Sequence, residues 1–368
     1  MAISLRQDRR YEPQLDGLRA FAVLAVTWSH WAPKHEFGIP FRLGVHLFFV
    51  LSGYLITRIL LDIRDMPDRF HGIGIFYARR ILRIFPAYYL TIAVAMLGGV
   101  AVVQEAWPWH VAYLSNILMF QRSEWAGMAS HWWSLAVEEQ FYLVWPCLII
   151  FMPRRMLLPV IATAVALAPV FRAWLLASGH PVGFTIVLTP SAFDCLGAGA
   201  LLALGKSRIC LPWPARPLLW VTAACGVGLA LAVSVWHSRT TFLIAPETVA
   251  AVVFAWVVWR ASAGFGGAAK RVLEWTPVMY LGRISYGFYL IHNFAFAIFA
   301  WAALNFGLQP LAIRGRVLIP FEFAITLGLA AASWHFMEKP INDLKRFLPY
   351  RERRLSSPAR VRLGAAAS

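Results

Sequence analysis

An arginine and a histidine lie in one otherwise apolar stretch, LDGLRAFAVLAVTWSHW, which is long enough to cross a membrane. On a helix, Arg19 and His30 would lie within about 20° of the same face and roughly 16 Å apart along the axis. Burying an ionisable group in hydrocarbon costs at least ~2.5 kcal/mol, so such residues are functional candidates by default. Because an imidazole can serve as a base or a nucleophile and a guanidinium can hold an anion, both are predicted catalytic residues along one passage.

Three further arginines follow in YARRILRIFPAYYL. Arg79, Arg80 and Arg83 are spaced so that a helix would carry them along one basic edge, with Pro86 near the start of the next span. The ordinary interpretation is positive-inside anchoring of the span. A cluster of guanidinium groups at a span entrance also predicts a site for a polyanion, because guanidinium binds phosphate in a forked geometry.

Another segment, HWWSLAVEEQFYLVWP, puts His131, Ser134 and Glu138 on one helical face. Glu138 would lie about two turns below the outer surface, at a depth similar to His30. We therefore expect the two to meet, because a carboxylate that accepts from one imidazole nitrogen makes the other more basic. For Glu138, the competing interpretation is a structural ion pair. For His131, the competing interpretation is an interfacial position, and it is the favoured one.

His46, in GVHLFFVLSGYLI, is predicted near the outer end of the second span, again at the depth of His30. Asp16 precedes Arg19 by one helical turn and is most simply its ion-pair partner. Cys147, Cys195, Cys210 and Cys225 have no CxxC spacing, so we expect neither a disulfide framework nor a metal site.

The elements that must position these residues are membrane spans. Hydrophobic residues make up 60% of the chain and charged residues 14%, with a mean hydropathy of +0.61. This composition excludes a soluble domain and predicts an all-α, polytopic integral membrane protein. The predicted spans, about ten in number, are 16–33, 43–61, 84–104, 132–152, 156–177, 188–205, 217–235, 243–259, 281–303 and 317–337.

The distribution of Lys and Arg residues predicts how the protein is oriented in the membrane. With both termini cytoplasmic, most of the 34 Lys and Arg residues fall on the cytoplasmic side. The net charge of +16 then describes a basic cytoplasmic surface whose partners are anionic lipids and anionic metabolites, not nucleic acid. We expect an integral membrane domain over 1–340 and a basic cytoplasmic tail over 341–368.

The motifs together resemble the membrane acyltransferase family 3, whose members include bacterial O-antigen and exopolysaccharide O-acetyltransferases. The resemblance rests on LDGLRA with Arg19 and His30 at the family's R-x10-H spacing, and on FFVLSGYLI. It also rests on Arg80 and Arg83 followed by IFP, on Ser134 and Glu138 in WSLAVEEQFYLVWP, and on LGRISYGFYLIH and MEKP. These elements span nearly the whole chain in the family's order.

The resemblance implies transfer of an acyl group, most often acetyl, from acyl-coenzyme A to a sugar hydroxyl at the outer face of the bacterial cytoplasmic membrane. Arg79, Arg80 and Arg83 would then hold the phosphates of the donor, and its pantetheine arm would pass Arg19 to reach His30. His30 would act as a base or carry the acyl group as an acyl-imidazole, and the sequence leaves both open.

One position departs from the family pattern. His46 stands where many members have Asp, which suggests a different acceptor or a second histidine near His30. His46, Ser134 and His131 are accordingly predicted to contact the acceptor substrate. We expect the membrane domain to handle a lipid-linked or other glycan acceptor alone or with a partner protein.

Two alternatives remain open at this point. The acceptor could instead be a secreted small molecule such as a macrolide. A flippase or transporter would also place polar residues on shared helix faces, although no inverted repeat is evident and the polar groups cluster in the first four spans.

Overall fold

The computed structural model describes residues 11–32, 41–206, 239–305 and 318–350, and all regular structure in these ranges is helical. This confirms the predicted all-α class. The helices are α1 (Pro13–Trp31), α2 (Gly44–Arg64), α3 (Arg69–Leu97), α4 (Ala101–Glu105), α5 (Trp107–Val111), α6 (Ser115–Arg122), α7 (Trp132–Phe151), α8 (Arg154–Ala177), α9 (Phe193–Lys206), α10 (Arg239–Ala263), α11 (Gly267–Leu273), α12 (Thr276–Ile291), α13 (Ala295–Asn305), α14 (Ile319–Ser333) and α15 (Lys339–Asp343).

Five continuous helical stretches of the described chain are long and apolar enough to cross a membrane: α2, α3, α7, α8 and α12 with α13. The second part of α10 together with α11 would make a sixth, bent by 89°. The protein is thus an all-α membrane protein. The number of about ten spans and the cytoplasmic termini remain predictions, and the predicted span 217–235 lies outside the described residues.

Helices α1 and α9 are among those that do not meet this criterion of length and hydropathy. Asp16 and Arg19 lower the mean hydropathy of α1, and α9 has only 14 residues. Both nevertheless pack in the centre of the bundle against α2. A helix that carries buried polar groups needs protein neighbours to satisfy them, which explains why α1 lies inside the bundle.

The predicted span at 84–104 is displaced. The helix observed there, α3, begins at Arg69 and continues through Pro86 to Leu97, and the short helices α4 to α6 follow. Pro86 costs one backbone hydrogen bond but does not end the helix. The basic cluster therefore lies on the same rigid helix as the apolar segment and not in a loop before it.

The predicted boundary at residue 340 falls inside α15. A π-helical turn, Trp334–Glu338, joins α14 to α15, and a 3-10 turn, Leu344–Phe347, follows. Both α15 and this last turn pack against α3. Up to residue 350, the predicted tail is part of the bundle, whereas residues 351–368 lie outside the described residues.

Helix α2 lies at the centre of the bundle. In its most apolar window, 72% of the residues are buried, compared with 22% in α8. Small residues let its neighbours approach closely. A Cβ added to Gly53 of α2 would overlap the carbonyl oxygen of Leu196, and one on Gly199 of α9 would overlap that of Val50. On the other side, Gly282 of α12 lies against the carbonyl of Asp16 in α1. Backbone contacts of this kind are the usual basis of helix association in membranes.

We predict that Gly199→Leu lowers the thermal stability of the purified protein, because the side chain must push α9 off α2. Overpacking of this kind costs about 1–3 kcal/mol or more. Gly205→Leu is the matched control in the same helix, since a Cβ there meets nothing within 4 Å. Equal melting temperatures of the two variants in detergent would contradict the close contact of α2 and α9.

Candidate functional site

A cavity runs between α1, α2, α3, α7 and α12, and the empty space within it and in its open mouth totals about 840 Å³. Its lining follows α2 from Val45 to Ile56, which is about 16 Å of helix. The polar residues along it are Arg19, Ser52, Arg80, Arg83, Ser134, Glu138, Glu139, Tyr142, Ser285, Tyr286 and Tyr289. The sequence-predicted residues Arg19, Arg80, Arg83, Ser134 and Glu138 therefore share one cavity.

One end of the cavity is cationic. Arg19 forms the predicted ion pair with Asp16 at 2.8 Å. Arg80 lies over the ring of Tyr142, 4.9 Å from its centroid. Within the described residues, neither Arg80 nor Arg83 has a carboxylate within 4.0 Å, so their N–H donors remain available to an anion.

Glu138 lies midway along the cavity. It accepts a hydrogen bond from Ser52 at 2.5 Å, and Ser52 in turn accepts from Tyr142 at 2.9 Å. Glu139, the next residue of α7, also lines the cavity. Two adjacent carboxyl groups thus face the space between the arginines and the opposite end.

The opposite end of the cavity is closed by hydroxyl groups. Ser134 and Tyr289 lie 2.6 Å apart, and both lie within hydrogen-bond distance of the carbonyl oxygen of His131. The His131 side chain is fully paired: its Nε2 donates to Leu290 O at 3.2 Å and its Nδ1 accepts from Asn293 at 3.0 Å. These bonds give His131 a structural role that joins α7 to the end of α12.

His30 lies beyond this layer, exposed at the end of α1. Its Nδ1 is 2.7 Å from Nε2 of His292, and the two rings stack with centroids 5.0 Å apart. His292 is buried and begins the 3-10 turn His292–Phe294 between α12 and α13. Its own Nδ1 is 2.6 Å from the carbonyl oxygen of Tyr289, and Trp31 donates to its carbonyl at 3.2 Å.

The hydrogen bonds of His292 define its proton positions. A carbonyl oxygen can only accept, so Nδ1 of His292 carries the proton. In a neutral pair, Nε2 of His292 must then accept from Nδ1–H of His30. His30 is left with a lone pair on Nε2, which is the form that a general base or a nucleophile requires.

The structure does not bring His30 and Glu138 together, contrary to the sequence-based expectation. His30 pairs with His292 and Glu138 with Ser52, while Ser134, Tyr289 and His131 lie between them. A depth inferred for each helix separately does not fix which faces meet. Tyr289 and His292 stand in LGRISYGFYLIH, where polarity within an apolar span is the only local signal that could have identified them.

His46 also lies elsewhere than expected. Its Nε2 is 2.5 Å from Oε2 of Glu247 in α10, and both side chains are buried. Arg42 reaches the other oxygen of Glu247 at 3.5 Å. His46 is absent from the cavity wall, and the described contacts place it against Glu247 instead of near His30.

Arg79, like His30, His131 and His46, does not line the cavity wall. Its guanidinium lies 4.9 Å from the ring centroid of Tyr350. Among the residues that the structure describes, no group of His, Cys, Asp or Glu side chains could hold a metal ion.

Comparison with known proteins gives a family match over residues 12–335, to a model described as an acyltransferase domain of the acyltransferase 3 type. The chain is 32% identical over 91% of its length to YrhL of Bacillus subtilis, provisionally named a peptidoglycan O-acetyltransferase. It is 27% identical over 93% of its length to the peptidoglycan O-acetyltransferase OatA of Listeria monocytogenes. The chain spans 55% and 57% of the length of these two relatives. No solved structure matches it.

The contacts of His46 generate a prediction. His46→Ala leaves the buried carboxylate of Glu247 without its closest partner, and we expect a loss of about 3 kcal/mol of stability. Asp65→Ala is the control, because it breaks the exposed pair with Arg154 and should cost less than about 1 kcal/mol. Thermal unfolding in detergent compares the two. Unchanged stability of the His46 variant with altered acceptor use would contradict the structural role and favour substrate contact.

Proposed function

The chain belongs to the acyltransferase 3 family, and from this premise we propose that it is an O-acetyltransferase of the bacterial cytoplasmic membrane. It moves an acyl group, acetyl first of all, from cytoplasmic acyl-coenzyme A to a hydroxyl group of a cell-envelope glycan. The observation that carries the proposal is the cavity with unpaired arginines at one end and the His30–His292 pair beyond the other. Membership of an acyltransferase family argues against the transporter alternative.

The donor end of the site is the arginine cluster. Arg80 and Arg83 offer free guanidinium donors to phosphate, and Arg19 lines the same end of the cavity. Charge-assisted, forked contacts with phosphate are the strongest hydrogen bonds that these side chains can make. The pantetheine arm then extends along the α2 face of the cavity, past Ser52 and Glu138, with its thioester directed towards Ser134 and Tyr289.

His30 supplies the reactive lone pair. In one route, Nε2 takes the proton of the acceptor hydroxyl while its oxygen attacks the thioester carbonyl, and the proton passes on to the departing coenzyme A thiolate. In the other, Nε2 itself attacks and coenzyme A leaves as the thiolate, so the acyl-imidazole keeps Nδ1–H and its positive charge. The acceptor hydroxyl then cleaves the acyl–nitrogen bond, and its proton passes to the thiolate. In both routes His30 becomes positively charged, and the Nδ1–H bond to His292 stabilises that charge.

The thioester must pass the layer formed by Ser134, Tyr289 and the His131 carbonyl to reach His30. These hydroxyl groups bond to one another, so rotation of the Tyr289 ring would open the cavity without breaking the backbone contacts of α12. The acceptor approaches from the opposite side, where His30 is exposed. We propose peptidoglycan as the first acceptor to test because OatA of Listeria monocytogenes is named a peptidoglycan O-acetyltransferase. Lipopolysaccharide, exopolysaccharide and macrolides are the alternatives.

We predict that His30→Ala reduces acetyl transfer by about 10³-fold, the scale of a lost general base. The assay follows labelled acetyl from acetyl-coenzyme A into peptidoglycan fragments, other glycans, a macrolide and the protein itself, with the purified protein in nanodiscs. His71→Ala is the control, an exposed histidine in the first turn of α3. Near-normal turnover by His30→Ala would contradict the mechanism, and no consumption of the donor by the wild type would contradict the proposed function.

A second prediction concerns His292 as a positioning residue. His292→Phe keeps a ring but removes the acceptor for His30, and we expect kcat to fall about 10–100-fold while KM for the donor stays unchanged. His292→Gln offers an amide oxygen to the same N–H and should restore part of kcat. If both variants lose activity equally, or if only KM changes, the hydrogen bond does not orient His30.

A further inference from the structure

The segment after α14 brings a lysine to the arginine cluster of α3. The ammonium group of Lys345 donates to Oδ1 of Asn342, and Asn342 donates to the carbonyl oxygen of Glu338 at 2.8 Å. This chain of contacts fixes the half-buried lysine where the 3-10 turn Leu344–Phe347 packs on α3. Lys345 is therefore held in place by its own segment and not left to solvent.

The charged groups of α3 that act on Lys345 are all positive. They are Arg83, Arg80 and Arg79. Within its own segment, Asp343 pairs with Lys339 at 3.4 Å, and Arg346 lies over the ring of Phe347. Glu338 accepts from Ser333 at 2.8 Å. No carboxylate in the described residues lies within 4.0 Å of Lys345.

The crowding of cations has an electrostatic consequence. Burial and then the repulsion of Arg83, Arg80 and Arg79 lower the pKa of Lys345 to about 7. Crowding of cations is unfavourable in the empty protein and becomes favourable when a polyanion binds among them. Tyr350 adds a second contact from the same segment, because its ring lies under the guanidinium of Arg79.

We propose that Lys345 is a phosphate ligand of the donor site and that the segment 339–350 forms one side of that site opposite α3. The inference rests on the proposed function, since the polyanion is the phosphate-bearing part of coenzyme A. Arg80 and Arg83 reach it from the cavity wall, and Lys345 reaches it from outside that wall. Part of what sequence analysis assigned to a tail thus belongs to the binding site.

Titration of coenzyme A into the purified protein, held in zwitterionic nanodiscs, tests the proposal. We expect Lys345→Met to raise Kd about tenfold and Lys345→Arg to change it less than about twofold. Arg83→Ala is the positive control for the donor site. Lys339→Met is the matched negative control, because it removes an exposed cation from the same segment whose partner is Asp343.

A second readout separates a ligand from a structural residue. The ammonium form of Lys345 binds phosphate, so affinity should fall as the pH rises above about 7 in the wild type and stay nearly flat in Lys345→Arg. Calorimetry at about pH 8 in two buffers of different ionisation enthalpy should show greater proton uptake by the wild type than by Lys345→Arg. Protons released by the ligand itself are common to both proteins and cancel.

The outcomes are distinct. Equal affinity of Lys345→Met and the wild type for coenzyme A would overturn this inference and leave the proposed function intact. No binding of coenzyme A by the wild type would overturn the proposed donor and the inference with it. If Lys345→Met binds coenzyme A normally but loses cardiolipin from anionic nanodiscs, the lysine is a lipid ligand and the inference is wrong.

Discussion

The hydrogen bond between His30 and His292 is the contact on which the proposed chemistry of this protein depends. It joins residues 262 positions apart and holds their nitrogens at 2.7 Å. The carbonyl of Tyr289 fixes the proton of His292, and His292 then fixes that of His30. A single backbone oxygen therefore determines which nitrogen of the exposed imidazole is free to react.

The fold supplies this contact through the close packing of α1 and α12. Gly282 admits the backbone of Asp16 at one end of the two helices, and His30 meets His292 at the other. The same packing brings Arg19, which pairs with Asp16, to the wall of the cavity. Helix association at a glycine thus positions both the cationic end and the imidazole end of one passage.

Sequence analysis predicted what lies along each helix better than what lies between helices. Helical periodicity correctly placed Ser134 and Glu138 on one face, paired Arg19 with Asp16, and put Arg80 and Arg83 on one edge. The same reasoning could not identify His292 as the partner of His30, because depth and face do not determine which helices are neighbours.

Two further differences between the sequence-based predictions and the structure have similar causes. His46 was predicted near His30, but its partner Glu247 lies in a helix whose packing on α2 no local pattern reveals. Lys345 was assigned to a tail by its basic composition, whereas the turn that carries it packs on α3. Hydropathy and charge identify membrane spans and their flanks, but only tertiary contacts show when a flanking segment completes a site.

The most direct test is nitrogen NMR of the protein labelled with ¹⁵N-histidine in nanodiscs, with His30 assigned by its loss in His30→Gln. The account predicts that His30 is protonated on Nδ1 and unprotonated on Nε2, with a scalar coupling across the hydrogen bond to Nε2 of His292. The opposite tautomer of His30, or no coupling to His292, would contradict the proposed basis of its reactivity.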